Sequence, residues 1–255
     1  MRRPPILPLR SKYYFMTQPI LHKAAARGLA DFGWLKSYQS FSFGEYYNPE
    51  RMHFGALRVL NDDTVTGGKG FGEHPHDNME IISIPLEGQL EHRDSMNNTA
   101  VISPGEIQVM SAGTGIYHSE YNKNSNQPAK FLQIWLFPNK RNVAPRYDQV
   151  KLNAEQGHNR LQQILSPNAG EEGVWIYQDA WFHKGSFDKG VSTTYTLKKQ
   201  GNGVYLFVLE GDVEVNGQTL NRRDGYGITD TDQINLKALS NAEVLLMEVP
   251  MKLSL

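Results

Sequence analysis

Two short segments carry the residue types that hold a metal ion. His74-Pro75-His76 sets two imidazoles at i and i+2, and His118-Ser119-Glu120 sets an imidazole and a carboxylate at the same spacing. In an extended strand such positions point to one face, about 6.8 Å apart along the chain. Side chains so placed can converge on one cation at roughly 2.0–2.2 Å. Pro75 has no N–H, so the first pair belongs at a strand start or a sheet edge. Three neutral imidazoles and one carboxylate leave a divalent cation with a net charge near +1 and about two octahedral positions open. That suits a metal that binds substrate and O2 rather than a closed structural site. The chain has no Cys. Disulfide frameworks, zinc fingers, Fe–S clusters and thiol nucleophiles are thereby excluded, and any metal rests on His and carboxylates.

The elements that must position these groups read as strands. Of 255 residues, 39% are apolar, enough for real cores. The β-rich runs are Phe54–Leu60, Met79–Leu86, Ile107–Ser111, Phe131–Leu136, Val174–Tyr177, Val191–Leu197, Val204–Leu209, Asp212–Val215 and Val244–Val249. Turn signals punctuate them about every 8–12 residues, among them Asn61-Asp62-Asp63, Gly67-Gly68, Glu87-Gly88, Pro104-Gly105, Glu210-Gly211 and Asp224-Gly225. That spacing means a sandwich, jelly roll or barrel. Helical pattern is confined to one turn at Ala24–Gly28 and a short helix at Ala154–Ile164.

An internal repeat divides the chain. MEIISIPLEGQLEH (79–92) and NGVYLFVLEGDVEV (202–215) share a β-rich run, Leu-Glu-Gly and a closing Glu, and each is followed by a Gly turn and a final apolar strand. We expect two duplicated β-barrels joined by a polar linker near Asn139–Gly157. Residues 1–15 read as an extension, 16–140 as the N-terminal barrel with the metal site, and 141–255 as a metal-free barrel, since no His stands at the matching positions. The first fifteen residues are basic and broken by Pro4, Pro5 and Pro8, which makes a poor signal peptide, and cytoplasm is the expected compartment. No apolar run reaches the ~18–20 residues of a membrane span. Lys+Arg at 26 against Asp+Glu at 27 gives a net charge of −1, so broad electrostatic binding of nucleic acid has no support.

The remaining candidates read blandly. Gly67-Gly68-Lys69-Gly70-Phe71-Gly72 lacks the signature of a phosphate cradle and reads as a flexible loop beside the metal site. His53 and His92 lack a paired ligand and read as surface or rim residues, and His158 and His183 as surface. Arg93-Asp94 reads as a solvated turn. Ser119 should point away from the metal. Trp34, Phe41, Phe43, Tyr46 and Tyr47 read as core or inter-barrel packing.

The spacing resembles the two cupin motifs. Gly68, His74-x-His76, Glu80 and a late Gly88 match the first; Gly105, Gly113, His118 and Asn122 match the second, with two additional residues before His118. The closer resemblance is to the pirin family of bicupins and its bacterial pirin-like quercetin 2,3-dioxygenases. It is carried by DFGWL (31–35), FSFGEYY (41–47), LRVLNDD (57–63), GFGEHPHDNMEI (70–81), LEGQLEHRDSM (86–96) and PGEIQVMSAGTGIYHSEYN (104–122), and it weakens beyond about Tyr147. The resemblance implies an all-β fold of two tandem cupin barrels. Geometry leaves Glu80 open as a ligand, because it shares parity with His74 and His76. The resemblance implies His74, His76, His118 and Glu120 as the ligand set, with Glu80 outside it at the rim. It further implies one divalent cation, with Fe(II) favoured over Ni, Co, Mn, Cu or Zn, and a flavonol such as quercetin with O2 as substrates. Glu120 is the candidate general base, and the protein is expected to act as a monomer. A metal-binding regulator without catalysis, or a cupin enzyme for another phenol or enol, remain alternatives on the same scaffold.

Overall fold

The computed structural model describes residues 18–253, so the expected N-terminal extension lies outside the described residues. The strands, in chain order, are β1 (Ile20–His22), β2 (Gly28–Asp31), β3 (Leu35–Gln39), β4 (Leu57–Val65), β5 (Gly70–His76), β6 (Glu80–Glu87), β7 (Leu90–Asp94), β8 (Thr99–Ile102), β9 (Glu106–Ser111), β10 (Ile116–Asn122), β11 (Ala129–Leu136) and β12 (Arg146–Lys151). There follow β13 (Gln162–Ser166), β14 (Val174–Trp175), β15 (Trp181–Phe187), β16 (Ser192–Thr196), β17 (Asn202–Glu210), β18 (Val213–Val215), β19 (Gln218–Leu220), β20 (Gly225–Ile228), β21 (Gln233–Ala238) and β22 (Ala242–Pro250).

The duplication expected from the repeat is visible in the sheets. Each half pairs a seven-stranded sheet with a four-stranded one. The orders are β12-β9-β6-β11-β4-β3-β2 with β5-β10-β7-β8, and β1-β20-β17-β22-β15-β13-β14 with β16-β21-β18-β19. The first strand crosses over: β1 pairs with β20 of the C-terminal sheet. The segment read as a polar linker carries β12, which extends the N-terminal sheet through β9.

Period-2 alternation explains the continuous apolar runs. In β17, Val204, Leu206 and Val208 enter the C-terminal barrel, while Tyr205, Phe207 and Leu209 join a second core. That second core also takes Ile82, Ile84, Leu132, Ile134 and Leu136 from the N-terminal sheet. The two seven-stranded sheets thus pack on each other, and strands buried on both faces lose the polar alternation of a surface sheet. Asp62 of β4 lies within salt-bridge distance of both Arg27 (3.2 Å) and Arg223 (3.4 Å).

Three local expectations are corrected. The helix expected over 154–164 is a 3-10 turn, Ala154–Gly157, followed by β13; Asn159 adopts φ 55° and breaks the helical path. Asn61-Asp62-Asp63 is not a turn but the middle of β4. Gly67–Gly72 is not a flexible loop: Gly67-Gly68 form the expected turn, with the Gly68 N–H donating to the Asn124 carbonyl at 2.8 Å, and Gly70, Phe71 and Gly72 open β5. Among the described residues, no helix is long and apolar enough to cross a membrane.

Candidate metal centre

The site is built by β5 and β10, antiparallel neighbours in the four-stranded sheet. β5 is the edge strand, where Pro75 costs no ladder bond. His118 stands opposite His74 in register, and the pairing shifts between His118 and Glu120. Such an irregularity re-aims side chains at a site. Along β10, burial alternates: Tyr117 and Tyr121 face out, His118 and Glu120 face in, and Ser119 does not share their face. Gly70 lets the strands close, since a Cβ there would lie 2.2 Å from the Glu120 carbonyl oxygen.

The three imidazoles meet. Ring centroids are 4.8 Å apart for His74–His76, 4.5 Å for His74–His118 and 4.9 Å for His76–His118. One nitrogen from each lies within 4.8 Å of the others. His74 Nδ1 is 2.7 Å from the Gly72 carbonyl, so it carries the proton and leaves Nε2 free. Nε2 of His76 and of His118 are buried without a hydrogen-bond partner in the protein. Burial and the neighbouring imidazoles push the His118 pKa down to about 2, and burial pushes that of His76 down to about 4. Both rings are neutral at physiological pH, as metal ligation requires. This donor set fits a divalent cation.

Glu120 is 2% exposed. Its Oε1 accepts from Ser83 Oγ at 3.1 Å and its Oε2 from Gln133 Nε2 at 2.7 Å. Burial raises its pKa to about 7. It groups with His118 and His92 rather than with the whole triad, though it lines the same cavity as His74, His76 and His118. Glu80 stands apart. It is 1% exposed, its Oε2 accepts from Ser111 Oγ at 2.7 Å, and it belongs to neither group.

His92 is the residue that sequence reasoning missed. It is fully buried, not at a rim, because β7 pairs with β10 and sets His92 opposite Glu120 and Asp94 opposite His118. Asp94 is likewise no solvated turn: its side chain is fully buried. His92 Nε2 lies 3.1 Å from Asp94 Oδ2, and its Nδ1 lies 3.4 Å from His118 Nδ1. One tautomer satisfies the chain: His92 donates from Nε2 to Asp94 and accepts at Nδ1 from His118. That leaves the lone pair of His118 on Nε2, the unpartnered buried atom. The signal was present in the sequence, since His92-Arg93-Asp94 repeats the i, i+2 spacing.

The other candidates disperse. His183 is buried at 5% exposure, edge-on to Tyr195, rather than on the surface. His22 is buried against Tyr205, and His158 is exposed as expected. Of the aromatic set, Phe41 packs between the barrels and Trp34 packs on Phe71. Tyr47 is exposed. Phe43 departs from the packing expectation: it lines the cavity, edge-on to Trp135 at 5.2 Å. That cavity, about 320 Å³, opens by Phe32 and Glu45 and runs past the histidines between Phe43, Phe71, Ile81 and Trp135.

Comparison with known proteins gives the family and the fold. The pirin family model matches residues 22–136, and a quercetinase C-terminal cupin domain model matches residues 163–249. A quercetin 2,3-dioxygenase of Escherichia coli K12 is 42% identical over 230 residues, covering 90% of this chain and 98% of that protein. A pirin-like protein of Caulobacter vibrioides is 39% identical over 222 residues, covering 87% of this chain and 95% of that one. The structure of the E. coli bacterial pirin YhhW in complex with nickel(II) superposes with a TM-score of 0.86 at 40% identity, covering 91% of this chain and 99% of that one.

Proposed function

Since the chain belongs to the pirin family of bicupins, we propose that it is a metal-dependent dioxygenase that cleaves a flavonol of the quercetin type. One observation carries this reading. Three imidazoles converge at the wall of an aromatic-lined cavity, and two of them, His76 and His118, bring buried nitrogens with no partner in the protein. Our ligand set is His74, His76, His118 and Glu120. A divalent cation held there would supply Lewis acidity to a flavonol, lowering the pKa of its 3-hydroxyl. Fe(II) is our working metal, since His–carboxylate sites with open positions are those that non-haem Fe(II) uses with O2; nickel(II) is the ion in the E. coli relative.

The chain's own groups have separable tasks. Glu120 takes the 3-hydroxyl proton onto a carboxylate oxygen, since a carboxylate at the metal lies next to the hydroxyl that the cation acidifies. Ser83 and Gln133 each occupy one lone pair and fix its orientation. Asp94 and His92 hold the His118 tautomer. Phe43, Phe71 and Trp135 offer the planar substrate apolar walls and keep bulk water out. The net reaction consumes O2, breaks two C–C bonds at C3 and releases that carbon as CO.

Supporting the class are the aromatic lining and a volume at the low end of the ~300–1,000 Å³ range for small-molecule pockets. Cytoplasmic location and a monomeric state belong to the same reading, and size-exclusion chromatography checks the latter. The decisive experiment is elemental analysis of the purified protein, followed by aerobic incubation with quercetin, reading absorbance and CO. Absence of turnover with Fe, Mn, Co and Ni loading removes the reading. Activity retained in Glu120→Ala removes only the base assignment.

A further inference from the structure

The two barrels differ in what fills them. The C-terminal interior is mostly apolar: Val204, Leu206, Val208, Val244 and Leu246 pack with Tyr195, Ile234 and Leu236, and its buried polar groups, His183 and Glu248, lie against Tyr195. In the N-terminal barrel a longer polar row runs across the seven-stranded sheet. Gln39 is the register partner of Asn61, Asn61 of Gln133, and Gln133 of Ser83. Asp63 stands two residues from Asn61 on the same face of β4 and opposite Ser37. Gln39, Asn61, Asp63 and Gln133 all line the cavity, and each is at most 7% exposed.

Four oxygens on this row, Gln39 Oε1, Asn61 Oδ1, Asp63 Oδ1 and Gln133 Oε1, have no hydrogen-bond partner in the protein. The Gln133 amide is oriented by its N–H donation to Glu120, which leaves its oxygen as the free acceptor. A buried acceptor without a donor is costly. Acceptors so grouped call for a ligand that brings several donors. The rest of the cavity, Leu35, Phe43, Phe71, Ile81 and Trp135, calls for a flat apolar body.

We propose that Gln39, Asn61, Asp63 and Gln133 form a hydroxyl-reading wall that selects polyhydroxylated aromatic substrates over their unhydroxylated ring analogues. This rests on the flavonol reading above and names the residues that set its specificity. A site built to pair a substrate hydroxyl rejects the analogue that lacks it, since the site's own polar groups are then stranded.

The test uses three flavonols with the same 3-hydroxy-4-keto unit and falling hydroxylation: quercetin, galangin and 3-hydroxyflavone. Dissociation constants are measured anaerobically by calorimetry on the metal-loaded protein, and kcat/KM is measured in air. We expect 3-hydroxyflavone to bind roughly 10- to 100-fold more weakly than quercetin, with galangin between. Gln39→Met and Asn61→Leu should compress that ratio to about threefold or less. Metal content and circular dichroism establish that each variant is folded and loaded; the wild-type ligand series carries the test should a variant fail to fold. Equal binding of the three flavonols by wild type, or an unchanged ratio in both folded variants, overturns the wall. Selective binding without cleavage supports the wall and removes the dioxygenase reading. Cleavage of all three at equal kcat/KM with equal affinity does the reverse.

Discussion

Replacing Glu80 with Gln separates two carboxylates that the sequence could not tell apart. Glu80 opens β6, is 1% exposed, and accepts from Ser111 Oγ and from the backbone N–H of Tyr177. Burial outweighs those donors and the nearby Arg146, raising its pKa from 4.5 to about 7. The sign follows from linkage. A carboxyl whose folded pKa is raised contributes full stability below pH 4.5, and that contribution is lost as pH rises to about 7. A shift of about 2.5 units at about 1.36 kcal/mol each makes ionised Glu80 cost of the order of 3 kcal/mol at pH 8. Gln abolishes the ionisation but weakens two charge-assisted hydrogen bonds, worth about 1 kcal/mol together. The metal-free Glu80→Gln protein should therefore gain about 1–2 kcal/mol at pH 8, a rise of roughly 3–6 °C in Tm, and nothing at pH 4.5. Thermal scans and urea titrations at both pH values measure this. A lower Tm at pH 8, or an equal gain at pH 4.5, refutes the burial reasoning. The same variant should keep its metal and its quercetin turnover within about twofold, while Glu120→Gln loses both. The reverse pattern would overturn the ligand set.

Three further outcomes follow from the site and the barrels. Asp94→Asn frees His92 to turn and releases the His118 tautomer, so metal affinity should fall about 10–100-fold by competition with a chelator; an unchanged affinity refutes the Asp94–His92–His118 chain. Gly70→Ala drives a Cβ into the Glu120 carbonyl, so β5 and β10 must part; metal binding should be lost while the C-terminal barrel keeps its near-UV spectrum. His22 and His183 are pushed from 6.5 down to about 4, chiefly by burial, so their stability is present above pH 6.5 and lost as pH falls toward 4. Each adds a slope of about 1.4 kcal/mol per pH unit in that window, and His22→Gln with His183→Gln should reduce, by that amount each, the fall in stability between pH 7 and pH 5 read from urea titrations, the slope left over belonging to His76 and His118.

The legible parts of this molecule are those where local pattern and final environment agree. His74-Pro75-His76 and His118-Ser119-Glu120 could be placed because a period of two is a property of one strand, and because Pro75 marks an edge. Val204–Leu209 could be read as a strand from its β-branched and aromatic run, and the Leu-Glu-Gly repeat gave the second barrel. What escaped depends on register between strands. His92 and Asp94 acquire meaning only when β7 lies beside β10, a pairing no local signal specifies. Asn61-Asp62-Asp63 was harder still, for these are turn-forming residues held in extended conformation by neighbours on both sides, β3 and β11. Tertiary pairing overrode propensity there, which is where a functional demand is to be expected. His183 misread for the same reason: one polar side chain in β15 gives no hint that its face closes a core.

The apolar barrel has a bearing on the polar one. A sheet whose inner face carries Gln39, Asn61, Asp63, Gln133 and Ser83 buries less hydrocarbon on that side, in two small clusters around Phe131 and Met110. Its outer face supplies the deficit, because Leu60, Ile82, Ile84, Leu132 and Ile134 pack against Tyr205, Phe207 and Met247 of the other barrel. The duplicated half, which carries neither histidine cluster, thus serves as the second layer that lets the first keep its interior hydrophilic. On this reasoning, weakening the inter-barrel core acts on the site before it acts on the C-terminal fold. Tyr205→Ala should cost about 3–5 kcal/mol as a buried aromatic truncation. Since the C-terminal barrel retains its own core of Val204, Leu206, Val208 and Leu246, the first transition on heating should be the N-terminal half. A two-step melt with metal released in the first step bears this out, and a single transition that spares the site until the end contradicts it.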